Sequence, residues 1–220
     1  MKILLKIILI IQIIFPYVSS DVSGNNGVVV SSKIHASDIG ISIMKNGGNA
    51  IDAAIGVCFA LAVTHPSAGN IGGGGFMVIN FENGSSTAVD FREVAPLNSK
   101  ENMFQDEEGN VIDGLSTSSI LSVGVPGTVA GMGYIHEKYA TLPWDQLLYP
   151  AFLLAKYGFE LDQHNHYLFN NLSLIDKLSK DEETRKIFIE NKIYSLNDLI
   201  VQPDLAKTLL RISKHGYKEF

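Results

Sequence analysis

An almost wholly apolar segment followed by four consecutive glycines constrains the fold of this chain more than any other feature. Residues 50–63 are apolar at nearly every position, including Ile55, Phe59 and Leu61. In a soluble protein, a helix that is apolar all round is buried on every side. The glycines at 72–75 lack a Cβ and therefore let two backbones approach closely. The sequence thus predicts a core helix that leads into a crowded loop.

Two short apolar runs, 76–81 and 87–91, follow the glycines, and Asn83-Gly84 lies between them. Asn-Gly between β-rich runs is a strong signal for a β-hairpin. Because both runs are apolar on both faces, we expect strands in a sheet that is covered on both sides. A phosphate-binding glycine loop is followed by a helix and usually a lysine, whereas a strand follows here. Close backbone packing is therefore the favoured role of the glycines.

The region before the apolar segment predicts an amphipathic helix. Ala36, Ile39 and Ile43 recur at helical spacing. Gly47 and Gly48 are expected to end this helix in a left-handed turn. Asn49, with Asp52 three residues later, is then expected to cap the buried helix, as a weaker form of the capping box.

The last third of the chain predicts further helices. Pro126 and Pro143 suit first helical positions, and Pro150 is expected to divide or kink the helix that contains it. That helix carries an apolar stripe of Leu147, Leu148, Ala151, Phe152 and Ala155. The charged residues 177–191 indicate a solvated surface segment, and residues 204–214 show apolar side chains at helical spacing.

The first 20 residues predict a signal peptide. Lys2 and Lys6 precede an apolar run at 7–15, and small residues end the segment at Ser20. The run is too short to cross a hydrocarbon layer of about 30 Å. We therefore expect residues 21–220 to be exported to the periplasm or the cell exterior; an uncleaved signal anchor that tethers the chain to the membrane is the alternative.

Composition and single residue types exclude other functions. With 46% hydrophobic residues, the chain suits one compact domain or a large piece of one, and its net charge of −6 offers no basic surface for nucleic acid. Cys58, the one cysteine, is interpreted as a buried apolar side chain and permits no intrachain disulfide. The six histidines are scattered, and His164-Asn165-His166 lacks the further ligands of a metal site.

Several longer motifs carry a resemblance to a known family. They are NGGNAIDAA at 46–54, THP at 64–66 with the glycine run, DFREVAP at 90–96, GVPGTVAG at 124–131, TLPW at 141–144 and VQPDLA at 201–206. In this order they resemble the γ-glutamyltransferase (glutathione hydrolase) family in its bacterial form, over essentially everything after the signal peptide. The resemblance implies an α+β N-terminal-nucleophile hydrolase, a four-layer αββα sandwich, of which this chain would be the amino-terminal, helix-rich part of the large subunit.

The resemblance also implies a reaction and its partners. Such a precursor cuts itself into a large and a small subunit, and the new amino-terminal threonine takes the γ-glutamyl group of glutathione or a related donor. Water, an amino acid or a dipeptide then releases the acyl group. The scheme uses no metal and no cofactor, and the small subunit is the implied protein partner.

Arg92, in DFRE, matches the family arginine that pairs with the α-carboxylate of the γ-glutamyl donor. A planar guanidinium can bind a carboxylate through two parallel hydrogen bonds, which suits this role. From the residues alone, an ion pair with Asp90 or Glu93 at the end of a strand is the favoured interpretation, and the resemblance reverses that preference.

The family nucleophile begins a Thr-Thr-His-like segment downstream of the matched motifs, so we expect no catalytic residue in this chain. Thr64-His65 looks similar but ends the buried helix, and Thr128 and the hydroxyls at 117–119 match no family role. We expect the isolated chain to be inactive and to be the front of a longer precursor. The alternatives are an inactive truncated relative, or a related acylase that acts on β-lactams or poly-γ-glutamate.

Overall fold

The computed structural model of the protein describes residues 22–189 and 193–220. The signal peptide predicted at residues 1–20 lies outside this part of the chain. Within it, no helix combines the length and the apolar character needed to cross a membrane.

Helices make up most of the architecture, and the strands are short. The helices are α1 Ile34–Lys45, α2 Ala50–Thr64, α3 Leu115–Ser118, α4 Thr128–Tyr139, α5 Trp144–Tyr157, α6 Gln163–Phe169, α7 Leu172–Leu178, α8 Glu182–Phe188 and α9 Pro203–His215, with 3-10 turns at Ile120–Ser122 and Tyr217–Glu219. The strands are β1 Phe76–Asn80, β2 Ser86–Asp90, β3 Phe159–Glu160 and β4 Leu199–Ile200. Strands β1 and β2 form an antiparallel hairpin, and β3 pairs with β4, also antiparallel.

The predicted junction between the first two helices is confirmed. Gly47 adopts a left-handed φ of +93°, which ends α1. The Asn49 side chain accepts hydrogen bonds from the backbone N–H groups of Ile51 and Asp52, at 2.8 and 2.9 Å. The Asp52 carboxylate accepts from the backbone N–H of Asn49 at 2.7 Å. The capping box is therefore complete rather than weak.

Helix α2 lies in the centre of the core, between α1 and α5 and against α4. Its buried side chains include Ile55, Phe59 and Val63, and the predicted stripe of α5 is buried as well. The expectation that α2 is buried on every side is wrong, because Val57, Cys58 and Leu61 line an open cleft. Residues 28–30 and 74–75 line the other walls of this cleft, so this face of α2 is partly rather than fully buried.

The carboxyl end of α2 is held by polar side chains from distant parts of the chain. Asn165 donates from Nδ2 to the carbonyl of Thr64, at 2.9 Å. Lys33 is buried and donates from Nζ to Asp162 Oδ2 at 2.7 Å and to Asn165 Oδ1 at 3.1 Å. A buried cation is costly unless it is paired and hydrogen-bonded, and both conditions are met here. This cluster fixes the segment before α1 against the start of α6.

The hairpin forms where the sequence predicts it, but the structure covers only one of its faces. Ile79 is buried, whereas Phe76 and Val78 are 64% and 70% exposed. The reason is that β1 and β2 form a sheet of two strands, which contacts α4 on one side. The predicted cover on both faces is therefore absent from the described part of the chain.

The prolines differ in detail from the expected positions. Pro126 lies before the capping residue of α4, and Pro143 is itself the capping residue of α5. Pro150 lies inside α5, which continues without a break from Trp144 to Tyr157. Pro150 cannot donate to the carbonyl of Gln146, but Gln146 is exposed, so water can satisfy that carbonyl. The predicted division of the helix does not occur.

Glu182, Glu183 and Lys186 of α8 are exposed and Arg185 is half-buried, which agrees with a segment at the protein surface. Helix α9 buries Ala206, Leu209 and Ile212 against α5, which confirms the predicted helical spacing. It ends at Gly216, which has a φ of +85°.

Candidate functional site

Arg92 lies just beyond the end of β2, on the exposed face of the hairpin. Its guanidinium forms no ion pair with Asp90 or Glu93, so the ion-pair interpretation is wrong for this structure. The backbone N–H of Arg92 instead donates to Asp90 Oδ1 at 3.0 Å. The guanidinium carbon lies 5.9 Å from the centre of the Phe76 ring. The Arg92 guanidinium therefore lies at the surface without a carboxylate partner among residues 22–189 and 193–220.

The backbone around Arg92 is held on both sides. Phe91 donates to the carbonyl of Gly75 at 2.9 Å and accepts from the N–H of Gly75 at 3.4 Å. Val94 and Val125 exchange a similar pair of bonds, at 3.2 and 2.8 Å. Residues 91–94 therefore run between the glycine loop and the segment that leads into α4. This double attachment makes Arg92 part of a rigid frame rather than of a free loop.

Glycines at three positions permit this close packing. A Cβ on Gly127 would lie 2.0 Å from the Phe91 carbonyl oxygen, and one on Gly74 would lie 2.7 Å from Arg92 Cα. A Cβ on Gly131, within α4, would lie 2.4 Å from Phe91 Cβ. Contacts this short exclude any side chain at these positions. The role predicted for the glycine run is confirmed for Gly74, and it extends to glycines for which no role was expected.

The carbonyl of Gly73 joins the glycine loop to α4. It accepts from the backbone N–H groups of Gly127 and Thr128, at 2.8 and 3.0 Å. The first N–H groups of a helix lack intrahelical acceptors, so this carbonyl supplies one for the start of α4. The helix, the glycine loop and Arg92 are thereby fixed to one another.

An open, mainly apolar cleft of about 480 Å³ adjoins this frame. Gly74, Gly75, Phe91 and Thr128 line one side of the cleft, and Cys58 lies on the α2 side. Burial raises the pKa of the Cys58 thiol to about 11. The thiol is therefore protonated at neutral pH and is not a nucleophile, in agreement with its interpretation as an apolar side chain.

Thr64 and the histidines at 65 and 164 lie near the carboxyl end of α2. The Thr64 hydroxyl is buried and donates to the carbonyl of Ala60 at 2.9 Å, as expected for the end of a buried helix. The rings of His65 and His164 lie 5.4 Å apart. Burial, together with the charges of Lys33 and His164, lowers the pKa of His65. Across 22–189 and 193–220, no three side chains of metal-ligating type come together.

Comparison with known proteins gives a consistent set of relatives. The family described as Gamma-glutamyltranspeptidase matches residues 36–220. The glutathione hydrolase proenzyme of Pseudomonas sp. (strain A14) is 46% identical over 205 residues, which are 90% of this chain and 35% of that protein. The proenzyme of Escherichia coli (strain K12) is 44% identical over 202 residues, 90% of this chain and 34% of its own length. The chain thus spans about a third of the length of these relatives.

Solved structures of similar proteins agree with the sequence comparison. Helicobacter pylori gamma-glutamyltranspeptidase superposes with a TM-score of 0.86 at 45% identity, over 91% of this chain and 57% of that one. The Bacillus anthracis transpeptidase CapD superposes with a TM-score of 0.70 at 33% identity, over 90% of this chain and 61% of that one. Cephalosporin acylase from Bacillus halodurans superposes with a TM-score of 0.75 over 94% of this chain and 40% of that one. Its identity is 22%, so this likeness shows the fold alone. These superpositions confirm the predicted α+β N-terminal-nucleophile hydrolase class, of which the described residues form a helix-rich part.

Proposed function

The chain belongs to the gamma-glutamyltranspeptidase family, and from that premise we propose that it forms the amino-terminal part of an exported enzyme that transfers or hydrolyses the γ-glutamyl group of glutathione and related donors. The observation that carries this proposal is the match over residues 36–220, which includes the rigid frame around Arg92. Export rests on the signal peptide expected at residues 1–20.

Arg92 is proposed to bind the α-carboxylate of the donor. Its guanidinium is exposed and forms no ion pair with a carboxylate of the described residues, so its N–H groups are available to a ligand. Two parallel hydrogen bonds from a guanidinium fit the two oxygens of a carboxylate. Because the backbone on both sides of Arg92 is fixed, little ordering of the main chain is needed when the donor binds.

A second subunit from the same precursor is proposed to complete the site with an amino-terminal threonine nucleophile. The relatives from Pseudomonas and Escherichia coli are named glutathione hydrolase proenzymes, and this chain covers about a third of each. The same stretch covers 57% of the solved Helicobacter pylori chain, so that chain is shorter than the proenzymes. This difference is the one expected if the mature protein consists of two chains. In the proposed reaction the threonine hydroxyl attacks the γ-carbonyl while its own amine takes the proton. The amide C–N bond of the donor then breaks, and the proton passes to the departing amine, which leaves a γ-glutamyl ester on the threonine. Water or an acceptor amine cleaves this ester and regenerates the threonine hydroxyl.

The test uses the full-length precursor and the chromogenic donor γ-glutamyl-p-nitroanilide. Losing one charge-assisted hydrogen bond costs about 1.5–3 kcal/mol, so Arg92→Ala should raise KM for the donor by at least about tenfold. Arg211→Ala removes an exposed guanidinium on α9 and should leave KM unchanged. The 220-residue chain alone should release no p-nitroaniline.

Self-cleavage of each variant into two fragments, seen on a denaturing gel, shows that it has folded. Normal kinetics for a correctly cleaved Arg92→Ala protein would remove Arg92 from the site. Steady p-nitroaniline release by the isolated chain would show that its residues include a nucleophile.

A further inference from the structure

Phe76 is a large apolar side chain that the hairpin leaves mostly exposed, next to an arginine that has no carboxylate partner in the described part of the chain. Burial of an aromatic ring stabilises a fold, and an exposed ring at this position does not contribute that free energy. The position of the ring relative to Arg92 follows from the pairing of the strands.

The register places Phe76 opposite Asp90. The next pair along the ladder is Gly75 with Phe91, which exchange both backbone hydrogen bonds. Continuing this antiparallel register places Gly74 opposite Arg92, so Phe76 is the diagonal neighbour of Arg92 on the same face. Diagonal neighbours are within reach of one another when one side chain is aromatic and the other is long.

Gly74 leaves this face open beside Arg92. A side chain at that position would be the direct cross-strand neighbour of Arg92, but even a Cβ there would lie 2.7 Å from Arg92 Cα and from the nitrogen of Glu93. The guanidinium therefore extends over the ring of Phe76, at 5.9 Å from its centre. This distance lies within the range in which a cation is attracted to the face of an aromatic ring.

The neighbouring carboxylates do not compete for the guanidinium. Asp90 Oδ1 accepts from the backbone N–H of Arg92, which shapes the turn after β2. Cβ and Cγ of Glu93 lie near Gly124, on the segment that leads to α4. An aromatic face attracts the cation without occupying its in-plane N–H groups, whereas a carboxylate would occupy them.

We propose that Phe76 is a positioning residue that holds the Arg92 guanidinium over its ring, with the N–H groups directed outward for the α-carboxylate of the donor. This inference rests on the proposed role of Arg92. Phe76 contributes to binding by restricting a long side chain that would otherwise sample many rotamers, and not by touching the reacting atoms.

The test is a double-mutant cycle in the full-length, self-cleaved protein with γ-glutamyl-p-nitroanilide. Phe76→Leu keeps an apolar side chain but removes the aromatic face, and it should raise KM about two- to fivefold with little change in kcat. Phe76→Tyr keeps the ring and should restore the parental KM. Phe81→Leu is the matched control, because Phe81 contacts the Tyr139 ring at the other end of the hairpin.

The cycle separates this inference from the role of Arg92. If Phe76 acts through Arg92, Phe76→Leu should have no further effect on kcat/KM in an Arg92→Ala background. An undiminished effect there, or an unchanged KM for a correctly cleaved Phe76→Leu protein, would overturn the proposal. A normal KM for Arg92→Ala alone would instead refute the proposed role of Arg92.

Discussion

The buried carboxylate of Asp52 joins the start of α2 to the loop between α4 and α5. Oδ2 accepts from the Asn49 N–H at 2.7 Å and from the Thr141 hydroxyl at 2.6 Å. Oδ1 accepts from the N–H groups of Thr141 and Leu142, at 3.0 and 3.1 Å. Burial raises the pKa of Asp52, but the hydrogen bonds from Thr141, Asn49 and Leu142 outweigh it, so the pKa lies below the ordinary value of 3.8.

Asp52→Asn keeps the shape of the side chain but replaces one acceptor oxygen with an NH₂ group that faces N–H and O–H donors. About two hydrogen bonds to a charged acceptor are lost, at about 1.5–3 kcal/mol each. We therefore expect the free energy of unfolding to fall by about 3–6 kcal/mol. This is a large fraction of the stability of a typical domain, which is about 5–15 kcal/mol.

Urea unfolding followed by the fluorescence of Trp144, the one tryptophan of the chain, measures this loss. Trp144 begins α5, close to Thr141, and its indole N–H donates to the carbonyl of Ile212 at 3.0 Å. Its emission therefore reports on the same junction. Asp38→Asn removes an equal charge from the exposed face of α1 and should change the free energy of unfolding by less than about 0.5 kcal/mol.

The pH dependence provides a second criterion. Because the folded state has the lower pKa, the Asp52 carboxylate stabilises the fold above about pH 4, and this contribution is lost as the pH falls through the folded-state pKa. The stability difference between the parent and Asp52→Asn should be constant above about pH 5 and should shrink in more acidic solution. If Asp52→Asn were as stable as Asp38→Asn at neutral pH, the bonding assigned to Asp52 would be refuted.

Two further pairs of substitutions test the packing at the carboxyl end of α2 and beside Arg92. Lys33→Met leaves Asp162 and Asn165 without their buried cation and should lower the free energy of unfolding by about 1–3 kcal/mol, whereas Lys207→Met, at an exposed ion pair, should cost about 1 kcal/mol or less. Equal urea midpoints for the two lysine variants would contradict this difference. Gly127→Ala would place a methyl group 2.0 Å from the Phe91 carbonyl and should cost at least about 2 kcal/mol, whereas a Cβ on Gly72 meets nothing within 4 Å, so Gly72→Ala should be nearly neutral. Thermal unfolding of the two alanine variants compares them directly, and matching midpoints would argue against the close backbone contact.

The sequence alone predicted those features that depend on neighbouring residues. The capping box at Asn49, the left-handed turn at Gly47 and the Asn83-Gly84 hairpin are each encoded within a few positions, so the local pattern was sufficient. Helical periodicity likewise identified the buried stripe of α5. It could not show that Pro150 is accommodated within this helix, because that depends on the exposure of Gln146.

Arg92 was identified by the resemblance of its motif to the family, whereas the residues alone favoured an ion pair with Asp90 or Glu93. The tertiary structure alone determined its surroundings. The Asp90 carboxylate bonds to the backbone of Arg92 rather than to its guanidinium, and the ring of Phe76 lies beside it through the pairing of two strands. The cluster of Lys33 with Asp162 and Asn165 joins positions 129 and 132 residues apart. No local pattern encodes such pairs, because contacts between distant residues arise only when the whole chain packs, whereas caps, turns and helical periodicity are set by backbone geometry within a few residues.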